Sequence, residues 1–292
     1  MIKYYTRACN FYYGSISIEK VRKNLSIPLH GNELISFDTI EIISRNNIKR
    51  INVKKLSGFQ QKIKKKVLYD IKQISKKKIF KGLKLSNLPI LMGVLNLTPD
   101  SFSDGGKFDK NNKGTKHAIE MIRSGANIID VGGESTRPGS KAVSVKIEWN
   151  RIYKILNTIS KKIPISLDTR KSEIMEKGIK LGVKIINDVS GLSYDYKSKN
   201  ILKKYKTSLV IHHMKGSPEN MQNNPIYKNE LLDIYDFFEE KIKLLRSMGI
   251  KHNKIILDPG IGFGKNLKHN MNLISKISIF HTLGFPILVG IS

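Results

Sequence analysis

The sequence is poor in several residue types, and each shortage excludes a class of protein. A single cysteine, Cys9, among 292 residues excludes an intrachain disulfide and favours a reducing, cytoplasmic setting. No apolar run approaches the roughly 20 residues that a membrane helix needs. Residues 1–14 mix polar and aromatic side chains and lack the apolar core of a signal peptide. We therefore expect a cytoplasmic protein without a membrane partner.

Acidic residues are scarce as well, since 24 Asp and Glu stand against 52 Lys and Arg, for a formal net charge of +28. The excess is densest at the front, where residues 1–90 contain 20 basic and 5 acidic side chains. A solvated lysine-rich surface accounts for this pattern. Because interleaved aromatic residues are sparse there, no nucleic-acid partner is expected.

From about residue 90 onward, short apolar runs alternate with amphipathic segments such as Leu231–Met248. Runs without polar alternation are typical of strands buried on both faces of a parallel sheet. Seven such runs are Ile90–Leu95, Ile128–Val131, Ile163–Leu167, Val183–Ile186, Leu209–Ile211, Ile255–Leu257 and Pro286–Ile291. Seven strand–helix repeats predict an α/β fold of the (β/α)₈ barrel type rather than a small doubly wound sheet.

The front of the chain differs in texture. We predict a basic α+β extension of unknown function over residues 1–85 and the barrel over residues 86–292. Strands are expected at Tyr4–Tyr13 and Leu34–Ile43, and one basic amphipathic helix over Gln61–Lys84. Packing onto the barrel and contact with a membrane surface are both compatible with this helix.

Polar residues mark the ends of nearly all the apolar runs, and in a parallel barrel these ends meet at one rim. A lone aspartate after a strand is usually a turn residue or a helix cap. The informative feature is that many polar residues occupy the same position relative to the ends of their strands. The oxygen-bearing ones are Asn96, Asp130, Asp168, Asn187 and Asp258. Buried carboxylates need donors or cations, which a heterocycle rich in N–H groups or a divalent metal would supply. An oxygen-rich ligand set suits Mg²⁺ rather than zinc.

Two loops after the first two strands contain groups suited to anions. Residues 98–106 are polar and end in glycines, and residues 132–139 read Gly-Gly-Glu-Ser-Thr-Arg-Pro-Gly. Inward backbone N–H groups, with Ser135, Thr136 and Arg137, suit a phosphate or pyrophosphate. No nucleophile accompanied by a base stands out, so the residues predict positioning of two substrates and stabilisation of a leaving anion.

The glycine-rich segment from Asp258 to Lys265 matches neither a Walker A loop nor a dinucleotide fingerprint. It remains a strand-end loop in which glycines let a ligand ring approach the backbone. The neighbouring pair His212–His213 lacks a third ligand at zinc-like spacing, and in a strand only one of the two faces the barrel.

Six segments, taken in order, closely resemble the dihydropteroate synthase family. They are residues 92–106, 129–139, 165–169, 185–188, 213–216 and 257–266, and the resemblance extends from about residue 90 to residue 292. The family condenses 6-hydroxymethyl-7,8-dihydropterin diphosphate with 4-aminobenzoate, releases pyrophosphate and requires Mg²⁺. The resemblance therefore implies a transferase of folate biosynthesis with small-molecule substrates, and a homodimer is compatible with it.

The resemblance also assigns roles to individual residues. Asn96 would bind Mg²⁺. Strand-end residues would hold or approach the pterin ring: Asp168, Asn187 and Asp258, with Asp130 and Met214 nearby. In the loops, Thr136 would contact the substrate diphosphate, with Arg137 close to it. The 4-aminobenzoate site would be lined by Phe102 and Pro138.

In the family, a strand ending in Gly-x-Ser continues into Arg-Lys and an eighth strand that ends with Arg-x-His. The present sequence stops at Gly290-Ile-Ser292. The expectation is a C-terminally truncated barrel without its eighth strand, which binds pterin but has little synthase activity. Two alternatives stay open: a pterin-binding methyltransferase barrel, against which the two anion loops argue, and a non-catalytic pterin binder.

Overall fold

The computed structural model describes residues 2–56, 58–83, 85, 89–98 and 113–290. The chain forms two compact units, each assembled from separated segments. The extension unit comprises Met1–Ile79, Ile226–Glu239 and Leu267–Ile287, and the barrel unit comprises Phe80–Pro225, Glu240–Asn266 and Leu288–Ser292. The expected division between residues 85 and 86 stays a prediction.

The extension unit is built around an antiparallel sheet. Its strands are β1 (Tyr5–Tyr13), β2 (Ile27–Leu29), β3 (Asn32–Ile43) and β4 (Ile48–Asn52), and the first helices are α1 (Gly14–Arg22) and α2 (Gln61–Ser75). The long strand β3 pairs with β1 on one side and with β2 and β4 on the other. The two strands predicted at the front of the chain are thereby confirmed.

The core of this unit forms between the sheet and the apolar face of α2. Phe37 and Ile40 of β3 and Ile74 of α2 are all fully buried. Val67 lies two helical turns before Ile74 and belongs to the same cluster. The helix therefore follows from its apolar spacing, and Lys62, Lys65 and Lys72 are exposed.

Helix α2 ends at Ser75, so the predicted helix over Gln61–Lys84 was too long at its C-terminal end. Lys76 has an extended backbone and stops the helix. The Lys78 ammonium then turns back and donates to the Gln73 carbonyl at 2.6 Å, which satisfies a carbonyl of the last turn. In the sequence, the run of lysines continues the helical pattern. In the fold, these lysines follow the last turn and form the end of the helix.

The described residues of the barrel unit contain a six-stranded parallel sheet whose spatial order follows the chain. Its strands are β5 (Met92–Asn96), β6 (Ile128–Gly132), β7 (Ile165–Asp168), β8 (Ile185–Asp188), β9 (Ser208–His212) and β10 (Ile255–Asp258). Along the chain, the further helices are α3 (Lys113–Arg123), α4 (Val145–Ile159), α5 (Ser172–Lys180), α6 (Ser198–Tyr205), α7 (Glu230–Ser247) and α8 (Leu267–Ser275). Short 3₁₀ helices cover His252–Lys254 and Ile277–Leu283. Within the described ranges, no helix is long and apolar enough to cross a membrane.

Apolar side chains close the amino-terminal side of this sheet. Phe80, which precedes β5, packs with Ile128 and Ile185 at the starts of β6 and β8 and with Ile256 of β10. All four are less than a tenth exposed. An apolar seal at this side leaves the polar strand ends at the other side, as in a barrel enzyme.

The strand predicted at Pro286–Ile291 is not formed in the part of the chain that the structure describes. Ile287 forms an isolated bridge, and the Leu288 N–H donates to the Leu257 carbonyl of β10 at 2.8 Å. An isolated bridge does not make a ladder, and residues 291 and 292 lie outside the described ranges. The prediction of this strand was therefore wrong for the residues described, whereas the parallel α/β class is confirmed.

Two half-buried imidazole rings pack against each other in the extension unit. His30 and His281 meet edge to face with ring centroids 4.5 Å apart. Among the described residues, nothing bonds the His30 Nε2 or the His281 Nδ1 atom. Burial, with the positive charge of Lys78, lowers the pKa of His281 to about 4. Burial lowers the pKa of His30 further, to about 2.

These histidines predict that the extension unit loses stability in acid. The unfolded chain, with ordinary histidine pKa values near 6.5, takes up protons first, so stability is complete above about pH 6.5 and falls as the pH drops towards 4. Each such histidine costs about 1.4 kcal/mol per pH unit in that window. Replacing His281 by Phe should flatten the profile, measured as the free energy of unfolding in urea at pH 7.5 and pH 5. The exposed His117→Phe serves as control, and an acid loss in His281→Phe equal to the control's would contradict the prediction.

Candidate active site

Four residues align on one rung at the carboxyl end of the parallel sheet. Backbone pairing places them side by side from β5 to β8: Asn96, Gly132, Asp168 and Asn187. Gly132 makes room for its neighbours, because a Cβ atom there would stand 3.1 Å from Asn96 Oδ1 and 3.3 Å from Asp168 Oδ2. The amide and carboxylate oxygens of two strands therefore converge over a glycine.

Asp130 lies within β6, two residues before Gly132 and on the same face of the strand. Its Oδ2 atom accepts a hydrogen bond from the Asn187 Nδ2 atom at 3.0 Å. That bond orients the carboxamide, and the Asn187 Oδ1 atom is buried with no partner among the residues described. A buried acceptor in this state is suited to an N–H donor of a ligand.

Carboxyl groups are crowded at this end of the sheet. Burial raises the pKa of Asp168 well above its usual value, and the negative charges of Asp130 and Glu148 raise it further. Burial also raises the pKa values of Asp130 and Asp258, and the Asp258 charge adds to the rise at Asp130. Such a group is stabilised in its ionised form by a ligand that brings N–H donors or positive charge.

Asp258 ends β10 and pairs in the sheet with His212, the last residue of β9. Its Oδ1 atom accepts a hydrogen bond from the Gly260 N–H at 2.7 Å. The His212 Nδ1–H donates to the Val189 carbonyl at 3.0 Å. Burial lowers the pKa of His212, although the Asp258 charge opposes this, so the ring stays neutral at pH 7. His212 is therefore a neutral ring that its bond to the Val189 carbonyl holds in one orientation.

A buried ion network, which the sequence did not reveal, lies behind the loop after β6. Glu134 accepts a hydrogen bond from Arg170 Nε at 2.6 Å and one from the Val143 N–H at 2.8 Å. The Lys171 ammonium forms a further ion pair with Glu134. Glu134 sits next to Gly133 at the start of the loop, so these contacts anchor the loop to the residues that follow β7.

The same Lys171 ammonium reaches helix α4. It donates to Glu148 Oε2 at 2.5 Å, and Glu148 Oε1 accepts from Thr169 Oγ1 at 2.6 Å. Burial raises the pKa of Glu148, and the bond from Lys171 opposes that rise. Lys171 thus compensates two buried carboxylates at once. Two consecutive basic residues after β7 indicate this role only weakly in the sequence, because the partners of Lys171 lie 23 and 37 positions away from it.

Known proteins are similar to the chain over these same residues. Residues 92–292 match the family model described as pterin binding enzyme. The dihydropteroate synthase of Escherichia coli strain K12 is 42% identical over 206 residues, which are 70% of this chain and 73% of the relative. The sulfonamide-bound structure of the Yersinia pestis dihydropteroate synthase has a TM-score of 0.68 and 39% identity, and covers 73% of this chain and 78% of its own. The Xanthomonas albilineans enzyme in complex with 7,8-dihydropteroate has a TM-score of 0.63 at 30% identity, with 72% and 74% covered.

The chain belongs to the dihydropteroate synthase family. The family resemblance read from the sequence motifs is therefore confirmed, and so is the barrel class of fold, since the solved dihydropteroate synthases have this fold. The six-stranded sheet corresponds to part of such a barrel.

In this chain, the structure gathers the predicted strand-end residues and distributes the others over loops. The strand-end group comprises Asn96, Asp130, Asp168, Asn187 and Asp258. Residues 136–138 belong to the loop after β6, where Thr136 is half-buried and Arg137 and Pro138 are exposed. The Gly139 N–H in that loop donates to the Pro218 carbonyl at 2.9 Å. Met214 is half-buried after β9, and Phe102 lies outside the described residues.

The ion network predicts that Lys171 is a major source of stability. Lys171→Met leaves the buried carboxylates of Glu134 and Glu148 without their shared cation, which typically costs about 3–5 kcal/mol. Lys177→Met is the matched control, because Lys177 pairs with Glu173 on an exposed helix face, and such pairs contribute about 0.5 kcal/mol or less. Urea unfolding at pH 7 measures both variants. Equal losses of unfolding free energy would show that the network is not a stabilising anchor.

Proposed function

We propose that this chain performs the dihydropteroate synthase reaction, in contrast to the low synthase activity expected from the sequence motifs, because its relatives are dihydropteroate synthases. 6-Hydroxymethyl-7,8-dihydropterin diphosphate and 4-aminobenzoate would give 7,8-dihydropteroate and pyrophosphate. The observation that carries the proposal is the strand-end rung with its converging oxygens in a chain of this family. The Xanthomonas albilineans relative has been solved with 4-aminobenzoic acid and with 7,8-dihydropteroate, and we carry these ligands over to this chain.

The pterin ring would be held by complementarity of donors and acceptors. A pterin presents amino and ring N–H donors, and the site offers the Asn187 Oδ1 atom and the carboxylates of Asp168 and Asp258. The buried Asn187 acceptor and the raised pKa values of both aspartates support this assignment. Donors from the ring would stabilise the ionised carboxylates, which are costly to bury alone. Asp130 would act through Asn187, and Met214 would lie beside the ring.

The diphosphate would lie over the loop after β6. Thr136 offers a hydroxyl donor, Arg137 a fixed positive charge, and the Glu134–Lys171 pair anchors the loop from behind. Donors held in place before the reaction stabilise the developing charge on a leaving anion at little reorganisation cost. Phe102 and Pro138 would line the 4-aminobenzoate site.

The reaction exchanges one bond at the pterin methylene carbon. The bond from that carbon to the diphosphate oxygen breaks, a bond to the 4-aminobenzoate nitrogen forms, and the amine gives up a proton. The site residues bind and orient both reactants, which converts an encounter in solution into an attack within a complex. No covalent intermediate with the chain is required.

Mg²⁺ would be bound through the Asn96 side-chain oxygen. The fit is chemical: Asn96 Oδ1 and Asp168 Oδ2 flank Gly132, and oxygen ligands are the type that Mg²⁺ takes. Within the described ranges, no group of three His, Cys, Asp or Glu residues is arranged to hold a metal. Substrate phosphate oxygens would therefore complete the ligand set. When bound, the ion neutralises charge on the departing pyrophosphate.

We further propose a cytoplasmic location, which the free thiol of Cys9 supports. A homodimer and the division into an extension of residues 1–85 and a pterin-binding barrel of residues 86–292 are part of the same proposal.

The pterin assignment predicts the effect of two isosteric substitutions. Asp168→Asn and Asp258→Asn each exchange a carboxylate acceptor for a carboxamide, so one ring donor loses its partner at about 1–3 kcal/mol. Calorimetric titration with 6-hydroxymethyl-7,8-dihydropterin diphosphate should show roughly 5- to 150-fold weaker binding. The exposed Glu173→Gln is the control. Unchanged affinity in either folded aspartate variant would refute the role of that residue.

The metal assignment predicts cooperative binding. Mg²⁺ should bind weakly alone and much more tightly with pyrophosphate present, because the anion adds oxygens that one amide cannot supply. Asn96→Ala should reduce this cooperativity by about tenfold, which corresponds to roughly 1.4 kcal/mol. The exposed Asn200→Ala should leave it unchanged. Titration calorimetry with and without pyrophosphate measures the effect, and tight Mg²⁺ binding without any phosphate ligand would contradict the assignment.

A further inference from the structure

Lys265 is a buried cation at the end of the glycine-rich segment after β10. Its Nζ atom donates to the carbonyls of Gly260 and Phe263, each at 2.8 Å, and to the His213 carbonyl at 3.2 Å. The His213 Nδ1 atom lies 3.1 Å away. The residue is 2% exposed. An ammonium has three protons to donate, and three carbonyls from two loops meet that demand.

The two loops that supply these carbonyls touch through their backbones. A Cβ atom at Gly260 would stand 2.1 Å from the His213 carbonyl oxygen, and one at Gly264 would stand 2.5 Å from the Lys215 carbonyl oxygen. The His213 N–H also donates to the Asp258 carbonyl at 2.9 Å. The loop after β9 and the loop after β10 are therefore joined without side chains between them.

The backbone of the glycine-rich segment explains how carbonyls come to surround a cation. Gly260, Gly262 and Gly264 have φ angles of 66°, 84° and 61°, in the left-handed region that glycine adopts readily. In this conformation, the carbonyls of Gly260 and Phe263 accept from the Lys265 ammonium. The spacing of these glycines fits no nucleotide-binding motif, and it is compatible with carbonyl groups that bind the segment's own lysine.

Charge links Lys265 to Asp258. Burial raises the pKa of Asp258, and the charges that oppose the rise are those of His212 and Lys265. Because burial keeps His212 neutral, Lys265 is the cation that favours the ionised carboxylate. Burial lowers the pKa of Lys265 to about 7, and the Asp258 charge opposes that fall. Burial also lowers the pKa of the neighbouring His213, which therefore adds no positive charge at pH 7.

We propose that Lys265 is a positioning residue for pterin binding. Its ammonium clamps the loops after β9 and β10 and provides the counter-charge of the Asp258 carboxylate. It acts on the ring through Asp258, and through the loop that contains Met214. This inference rests on the function proposed above, in which Asp258 accepts N–H donors of the pterin.

The proposal predicts a bell-shaped dependence of pterin affinity on pH. Protonation of Asp258 weakens binding in acid, and deprotonation of Lys265 weakens it in alkali, since either event removes one charge of the pair. The other titratable groups facing the pair are His212 and His213, both neutral above pH 7, and the carboxyl of Asp130, which faces Asp258 from β6. The alkaline limb is therefore the signature of Lys265.

The test compares Lys265→Met, Lys265→Arg and the exposed control Lys268→Met by titration with 6-hydroxymethyl-7,8-dihydropterin from pH 5.5 to 9. This probe has no titrating phosphate. Lys265→Met should bind about tenfold or more weakly at pH 7 and lose the alkaline limb. Lys265→Arg should retain most of the affinity, and Lys268→Met should match the unaltered protein. The KM for the pterin substrate should rise in Lys265→Met while the KM for 4-aminobenzoate stays the same.

A folded Lys265→Met variant with unchanged affinity and an unchanged pH profile would overturn the proposal. Where that variant does not fold, the unaltered protein decides, because an affinity that stays constant between pH 6 and pH 9 would equally overturn it. Failure of the unaltered protein to bind the pterin at any pH would instead refute the proposed function.

Discussion

The parallel register of β5 to β8 is the constraint on which the rest of the site depends. It places Asn96, Gly132, Asp168 and Asn187 on one rung, and the missing side chain of glycine lets the oxygens on either side approach. Burial and mutual repulsion then disfavour the ionised form of the carboxyl groups. The site is consequently incomplete without donors, and a pterin ring with its N–H groups would supply them.

Two buried lysines compensate carboxylates near the carboxyl end of the parallel sheet. Lys171 compensates Glu134 and Glu148, and Lys265 attracts Asp258 electrostatically and holds the loop after β10. Burying such charges costs free energy unless geometry and hydrogen bonding are good, and both cations meet several acceptors. Each cation anchors a loop that contains proposed substrate-binding residues. The stability of the barrel unit and the preorganisation of its site therefore depend on the same contacts.

Sequence patterns predicted β5 to β10 and their polar ends, although not the absence of a strand at residues 286–290, because a buried parallel strand is apolar throughout and its polar terminus stands out. They did not predict the end of α2, where lysines continue a helical spacing but Lys78 turns back as a cap. Nor did they predict the partners of Lys171 or the contact between His30 and His281, since only tertiary folding brings such distant residues together. The glycine-rich segment matches no nucleotide-binding motif, and its Gly260 and Phe263 carbonyls bind Lys265.

The central claim is that buried carboxyl groups at the strand ends accept the N–H donors of a pterin. Proton exchange on binding tests it most directly, by calorimetric titration of 6-hydroxymethyl-7,8-dihydropterin in buffers of different ionisation enthalpy. Burial raises the pKa of Asp168, and ligand donors would lower it, so binding should release protons. The release should grow as the pH falls from 6.5 towards 5, below the alkaline limb assigned to Lys265. Proton uptake, or no exchange, between pH 6.5 and pH 5 would contradict the account.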